Sequence, residues 1–264
     1  MNIAATQSLS FAELVPPAYV PYCRDLQLGS PAPGDGVVVP LPRLAEHLDT
    51  LLNAMRQQYG GGSAQALLSQ WCGRYLSLLL PPALVAARVL RHPLKMVLAD
   101  CTLLLRDGMP QTLWLPADAL GAETDEVVGR YRSLCVDHLA PFIGMMAATV
   151  RLSPRVLWST VGNSLEYALA TGFAGEQAQH DADYLFGRHQ FFDTGLANPL
   201  YRVVSYLTLP PSLLSSPFRV RQLCCLRNRL PGERMLCSSC PKLLQLDECK
   251  LAEQLLLRKT AFGS

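Results

Sequence analysis

The stretch RVRQLCCLRNRLPGERMLCSSCPK, Arg219 to Lys242, sets Cys224 and Cys225 side by side and returns to Cys237 and Cys240 one loop later, four thiols within seventeen residues. Arg219, Arg221, Arg227, Arg229 and Arg234 crowd around them. A C-x-x-C turn aims two thiolates and several backbone N–H groups at one point, as in many zinc knuckles. Structural zinc, however, usually takes both ligand pairs from spaced positions. Neighbouring side chains diverge on an extended backbone, so Cys224 and Cys225 close awkwardly onto one small tetrahedral ion. A two-iron cluster presents four thiolate positions over a wider span and accommodates unusual spacings. The pattern favours a 2Fe-2S centre, with zinc as second choice.

The bulk composition limits what such a segment can serve. A chain of 264 residues, 50% apolar and 17% charged, can bury a sizeable core as one large domain or one domain with a small appendage. With 23 basic against 21 acidic groups there is no global field to recruit nucleic acid, and no nucleic-acid partner is expected. The start, MNIAATQSLSFAELVPP, lacks the positive beginning and apolar core of a secretory signal, so a cytoplasmic location is expected. Nine cysteines in a reducing compartment mean packing, metal or redox chemistry rather than a disulfide framework. The longest apolar run, Leu76 to Leu90, is shorter than the ~20 residues that span a bilayer and contains Pro81-Pro82. It reads as buried helix, with peripheral contact to the cytoplasmic face of the inner membrane as the lesser reading.

Residues 1–40, rich in proline and glycine and without a sustained period, read as an irregular N-terminal arm. From residue 41, Leu41, Leu44, Leu48, Leu51, Leu52 and Met55 recur at helical spacing until Gly60-Gly61-Gly62 stops them. A second helix is expected from Ser63 and another after the Pro81-Pro82 break. KMVLADCTLLL and QTLWL flank Asp107-Gly108, which predicts a hairpin over roughly 95–115. Helical pattern returns from Thr124 to Val150, Ser153-Pro154 opens a helix ending near Gly172, and a shorter one covers 175–186. Residues 198–211 read as a strand closed by a double proline, and a last helix is expected near 247–258. The expected fold class is therefore α+β: a mainly helical body over 41–211 with a β-hairpin or small sheet, followed by a small cysteine-rich segment over 212–264.

VRQLCCLRNRLPGERMLCSSC resembles the C-terminal signature of the bacterial ferric-siderophore reductases of the ferrioxamine-reductase type, Cys-Cys, ten residues, Cys-x-x-Cys. Here the intervening loop, Leu226 to Leu236, has eleven residues. LLLPPALVA from Leu78, VLWSTVGN from Val156 and NPLYRVV from Asn198 are similar to segments in the same order in that family. The resemblance implies a 2Fe-2S cluster held by Cys224, Cys225, Cys237 and Cys240. It also implies a cytoplasmic protein passing one electron to a ferric siderophore, on a largely helical α+β body.

Within that reading, Arg221, Arg227 and Arg229 are candidates for stabilising the reduced cluster or for docking an acidic electron donor. Trp158 is a candidate for a siderophore pocket, against the plainer reading of an aromatic at helical spacing as core. Gly60-Gly61-Gly62 lacks the Lys-Ser/Thr of a phosphate loop, and no G-x-G-x-x-G fingerprint opens a βαβ unit. The electron is therefore expected from a separate donor, ferredoxin-like or a flavin-dependent reductase. The alternative function is a zinc-stabilised or non-redox siderophore-binding module.

Overall fold

The computed structural model describes residues 8–31, 36–210 and 212–262. Residues 1–7 and 32–35 of the expected arm, and Pro211 of the double proline, lie outside them. The chain divides into two compact units, residues 1–55 with 71–152 and residues 56–70 with 153–264.

In the first unit the predicted hairpin is present as β4 (Thr102–Arg106) and β5 (Met109–Leu115). It turns on Asp107 and Gly108, both with positive φ (50° and 74°), as a two-residue turn matched to strand twist requires. The sheet around it comes from the segment expected to be an irregular arm, which corrects that reading. β1 (Leu9–Ser10), β2 (Leu26–Leu28) and β3 (Val37–Pro40) complete the order β1-β2-β5-β4-β3, with β2 and β5 parallel and the other pairs antiparallel. Strands of two to four residues are too short to print a period-two pattern, and their partners are distant in the chain, Leu26 pairing with Leu113. A single turn, α1 (Val20–Cys23), precedes β2.

α2 (Leu48–Tyr59) buries Leu51, Leu52 and Met55. α3 (Ala64–Val85) does not break at Pro81-Pro82 as expected; it runs through both and continues as a π-turn, Ala86–Leu90. Each interior proline costs about 3 kcal/mol, offset by the burial of Leu79, Leu80, Leu84 and Val85 at roughly 1.5–3 kcal/mol each. Ala64–Leu90 is long and apolar enough to cross a membrane by length and composition, and 56% of its apolar 18-residue window is buried inside the protein.

α4 (Val127–Arg132) passes through a π-turn, Ser133–Leu139, into α5 (Ala140–Thr149). On that turn the buried His138 lies with Nε2 2.5 Å from the Tyr75 hydroxyl and Nδ1 3.0 Å from the Met96 carbonyl oxygen. Tyr75 stacks on Phe142. Burial lowers the His138 pKa to about 4, against the opposing pull of the Met96 bond. Burial likewise pushes the thiols of Cys23 and Cys101 up, to about 11 and 12, and those of Cys72 and Cys135 higher still. Neutral, buried and inert, these four fill space.

The second unit is built on α6 (Pro154–Tyr167), which runs into a π-turn, Ala168–Gly172, followed by α7 (Glu176–Gly187). The strand expected from Asn198 starts only at β6 (Val204–Leu207), because Asn198 organises a turn. Its Nδ2 donates to the carbonyls of Leu185 (2.8 Å) and Arg188 (2.9 Å), and its Oδ1 accepts the Leu200 N–H at 2.9 Å. β6 pairs antiparallel with β7 (Phe218–Arg221), and α8 (Glu248–Phe262) follows the cysteines. A Cβ on Gly162 of α6 would stand 2.1 Å from Val203 Cγ1, so only glycine lets the helix approach this closely. Phe218, Val220, Cys240, Leu243 and Leu251 form a small apolar core against which Cys224, Leu236 and Cys237 pack. The molecule is thus α+β and mainly helical, with its clustered cysteines between β7 and α8.

Candidate iron-sulfur centre

β7 delivers the chain to the site. At its end the Arg221 N–H donates to the Ser239 carbonyl (3.0 Å) and the Gln222 N–H to that of Val203 (2.8 Å), tying both arms of the cysteine loop to the sheet. Beyond Cys225, Leu226 takes a left-handed conformation (φ 63°) and starts a 3-10 turn over Arg227–Arg229. The second pair closes on itself, with the Cys240 N–H donating to the Cys237 carbonyl at 3.1 Å.

The four sulphurs meet. Cys225 Sγ lies 3.4 Å from Cys237 Sγ, and the Cys224 thiol contacts both the Cys225 and Cys240 sulphurs while reaching Asn228 Oδ1 at 3.3 Å. They form a chain of contacts, Cys240 to Cys224 to Cys225 to Cys237, rather than a shell around one point. Cys225 and Cys240 are buried and the other two half-buried. The neighbouring Cys224 and Cys237 sulphurs hold the Cys225 thiol well below its ordinary pKa, helped by the Arg227 N–H and the Arg221 charge. The Cys224 contact also lowers Cys240, whereas Cys224 and Cys237 are raised by their sulphur neighbours and by burial.

Two cations face this group. Arg221 is only 4% exposed, and two hydroxyls hold its guanidinium: Ser159 Oγ at 3.4 Å and Thr160 Oγ1 at 2.8 Å. Its charge acts on Cys225, Cys237 and Cys240. Arg258 of α8 donates to the carbonyls of Cys237 (2.8 Å) and Leu236 (3.3 Å), and its buried Nε has no partner. Four converging thiols, an orphaned N–H donor and a buried cation held only by hydroxyls make a donor set and field that fit an anionic iron-sulfur cluster.

The sequence candidates separate on these grounds. Arg221 stands beside the sulphurs, Arg227 is paired with Glu233 at 2.7 Å, and Arg229 is exposed. Trp158 is buried edge-on against Phe191, with centroids 5.5 Å apart, so it is a core residue rather than a cavity wall.

Sequence reasoning missed the residues that shape the loop from outside it. Ser69 Oγ and Gln70 Nε2 both donate to the Cys225 carbonyl, at 2.9 and 2.7 Å. Ser159 Oγ donates to the Leu223 carbonyl and accepts the Leu223 N–H, each at 3.2 Å. Gly62, at φ 125°, brings its backbone so near Leu230 that a Cβ would meet Leu230 Cδ2 at 2.6 Å. The signal available for Ser69 and Gln70 was two polar residues inside an otherwise apolar helical run, ALLSQWC.

Comparison with known proteins supports the same segment. The family described as "Ferric iron reductase FhuF-like transporter" matches residues 69–208, and that described as "FhuF 2Fe-2S C-terminal domain" matches residues 221–242, which contain all four cysteines. No curated protein gives a match. Among solved structures, the aerobactin synthetase IucC from a hypervirulent pathotype of Klebsiella pneumoniae is similar at 16% identity with a TM-score of 0.43. That likeness covers 64% of this chain and 36% of the synthetase, so the chain spans little more than a third of that protein's length. With the first family covering more than half of its residues and the second enclosing its cysteine loop, the chain belongs to the FhuF-like ferric iron reductases and carries their 2Fe-2S domain.

Proposed function

We propose that this protein reduces the iron of a ferric siderophore in the cytoplasm, releasing Fe(II) for assimilation, with Cys224, Cys225, Cys237 and Cys240 as the cluster ligands. The observation that carries the reading is the chain of four sulphurs lying under the buried Arg221. Ferric iron is a hard, highly charged ion held tightly by hydroxamate, catecholate or carboxylate oxygens; ferrous iron is held far less strongly, so one electron frees it. When bound, the cluster supplies one-electron exchange at a potential set by charge and hydrogen bonds.

The chain's own residues do the rest. The clamps on the Leu223 and Cys225 backbone fix the direction of the first thiol pair, and the Cys240 N–H closes the second. Arg221 favours the more negative reduced state, and Arg258 offers its free N–H to a sulphur acceptor. The electron reaches the protein from a separate ferredoxin-like or flavin-dependent donor, and the cytoplasmic face of the inner membrane is the surface on which peripheral contact would occur.

The test is anaerobic purification with a visible spectrum and iron and sulfide analysis. Mixing of the dithionite-reduced protein with ferric hydroxamate, catecholate and carboxylate complexes follows, with a ferrous chelator present. One Fe(II) per oxidised protein is expected. Replacing Cys237 with serine should abolish the colour, and replacing Cys72 or Cys135 should not. A colourless zinc protein, or a reduced cluster that persists against every complex, sinks the proposal in favour of a binding module.

A further inference from the structure

Ser159, Asn163 and Glu166 follow one another on α6 at intervals of four and three, so they share one face of the helix. Ser159 belongs to the clamp on the first thiol pair; the other two serve the second. The Glu166 carboxylate is mostly buried and is held twice. Its Oε2 accepts from Arg219 of β7, from Nε at 2.6 Å and Nη2 at 2.5 Å, and its Oε1 accepts from the Tyr206 hydroxyl at 2.6 Å. The guanidinium anchored in this way donates to Asn163, from Nη1 to Oδ1 at 3.0 Å and from Nη2 to the backbone carbonyl at 2.7 Å. Asn163 Oδ1 takes a second bond, from the Ser239 hydroxyl at 2.7 Å.

The direction of every proton in this chain follows from which groups can donate. A guanidinium only donates, so the amide of Asn163 must turn its oxygen toward Arg219. That oxygen only accepts, so the proton between it and Ser239 is the hydroxyl's own. The hydrogen of Ser239 is thereby aimed at α6. Ser239 is 3% exposed and stands between Cys237 and Cys240, a buried donor within the turn of the second thiol pair whose proton goes to Asn163 and not to a sulphur. Hydrogen bonds to cluster sulphurs stabilise the more negative reduced state and raise the potential.

We infer that Asn163 is a positioning residue for the redox couple: it turns the Ser239 hydroxyl away from the sulphurs and so holds the potential of the cluster down, with Arg219 and Glu166 fixing Asn163 in its turn. A lower potential gives the electron a stronger drive toward tightly held Fe(III). The inference rests on the four cysteines being the cluster ligands, and not on which iron complex is reduced.

The test is a spectroelectrochemical titration of the cluster-loaded protein, with iron content measured on every variant. Ser239→Ala removes a proton that the sulphurs do not receive and should leave the reduction equilibrium within about twofold of native. Asn163→Ala releases the buried hydroxyl beside anionic sulphurs, the most negative acceptors in its turn. It should favour the reduced state by about tenfold or more, an upward shift of about 59 mV for one electron. Combining Asn163→Ala with Ser239→Ala should restore the native value, a reversal that mere loosening of the turn would not produce. Pulsed EPR of the reduced protein in D2O should show one additional exchangeable deuteron near the spin in Asn163→Ala, absent from the double variant. Asn163→Leu, close in size and without an acceptor, replaces Asn163→Ala if the latter does not hold iron. An unchanged equilibrium in the Asn163 variant, or an equal rise in the single and double variants, overturns the inference. So does a fall in potential in Ser239→Ala, which would mean that the native hydroxyl already serves a sulphur. Native protein that holds no iron removes the ligand assignment itself, whereas full iron with potentials indifferent to Asn163 removes only its positioning role.

Discussion

Arg221 is the residue whose replacement should most change the redox behaviour of the cluster. At 4% exposure its charge is poorly screened, and it acts on three of the four cysteines. For an assumed separation of about 7 Å and an effective dielectric of about 20, Coulomb's law gives roughly 2.4 kcal/mol for each added electron. With about 59 mV for each tenfold change in a one-electron equilibrium, that is about 100 mV. Arg221→Gln should lower the midpoint potential by about 50–100 mV, the lower figure allowing for reorientation of nearby dipoles. Arg221→Lys, which keeps the charge, should recover most of it. The assay is a spectroelectrochemical titration of the visible absorption, with iron per chain measured in parallel. A glutamine variant with full iron and a potential within about 15 mV of native would refute the electrostatic argument. Equal shifts in both variants would instead assign the effect to the bonds with Ser159 and Thr160.

Three further outcomes are expected. Arg227→Gln, at a side chain 37% exposed, should shift the potential less than half as much as Arg221→Gln, and adding Glu233→Gln should return it toward native, since the pair then leaves together. Gly62→Ala forces an alanine to φ 125° and drives its Cβ against the buried Leu230. It should cost about 1–3 kcal/mol in denaturant unfolding and speed loss of colour to an iron chelator. His138 has a folded pKa of about 4 against an ordinary 6.5, so between those values the unfolded chain binds more protons. Its contribution is constant above about pH 7 and falls by about 3 kcal/mol as pH drops from 6.5 toward 4; stability curves of native protein and His138→Gln should converge across that window and run parallel above it.

The parts legible in the sequence were those dictated locally. Asp107-Gly108 demands its turn wherever the hairpin sits, Ser153-Pro154 starts a helix by its own geometry, and the four cysteines declare themselves by spacing. What escaped was decided by partners remote in sequence. Leu26 becomes a strand only because Leu113 is there to pair with it. The helix survives Pro81 and Pro82 because its flanking side chains are buried, which no local propensity records. Within the site, Arg221, Arg227 and Arg229 look alike in the sequence. Only the structure separates a buried cation, a paired one and an exposed one, because what sorts them is the company of Ser159, Thr160 and Glu233.

The double grip of Ser69 and Gln70 on the Cys225 carbonyl spans 156 and 155 residues of chain. Closing so long a loop is an entropic cost met late in folding, after local helices and hairpins have formed. A ribosome-bound chain whose cysteine loop has just emerged must still bring that loop back to a segment made long before. Cluster loading is then expected to follow the completion of this unit instead of nucleating it, the reverse of a zinc finger, where metal drives folding. A peptide beginning at residue 212 would hold all four thiols yet lack both clamps, and it should take up iron and sulfide poorly. That expected order, fold first and metal afterwards, turns on the contacts of one carbonyl oxygen.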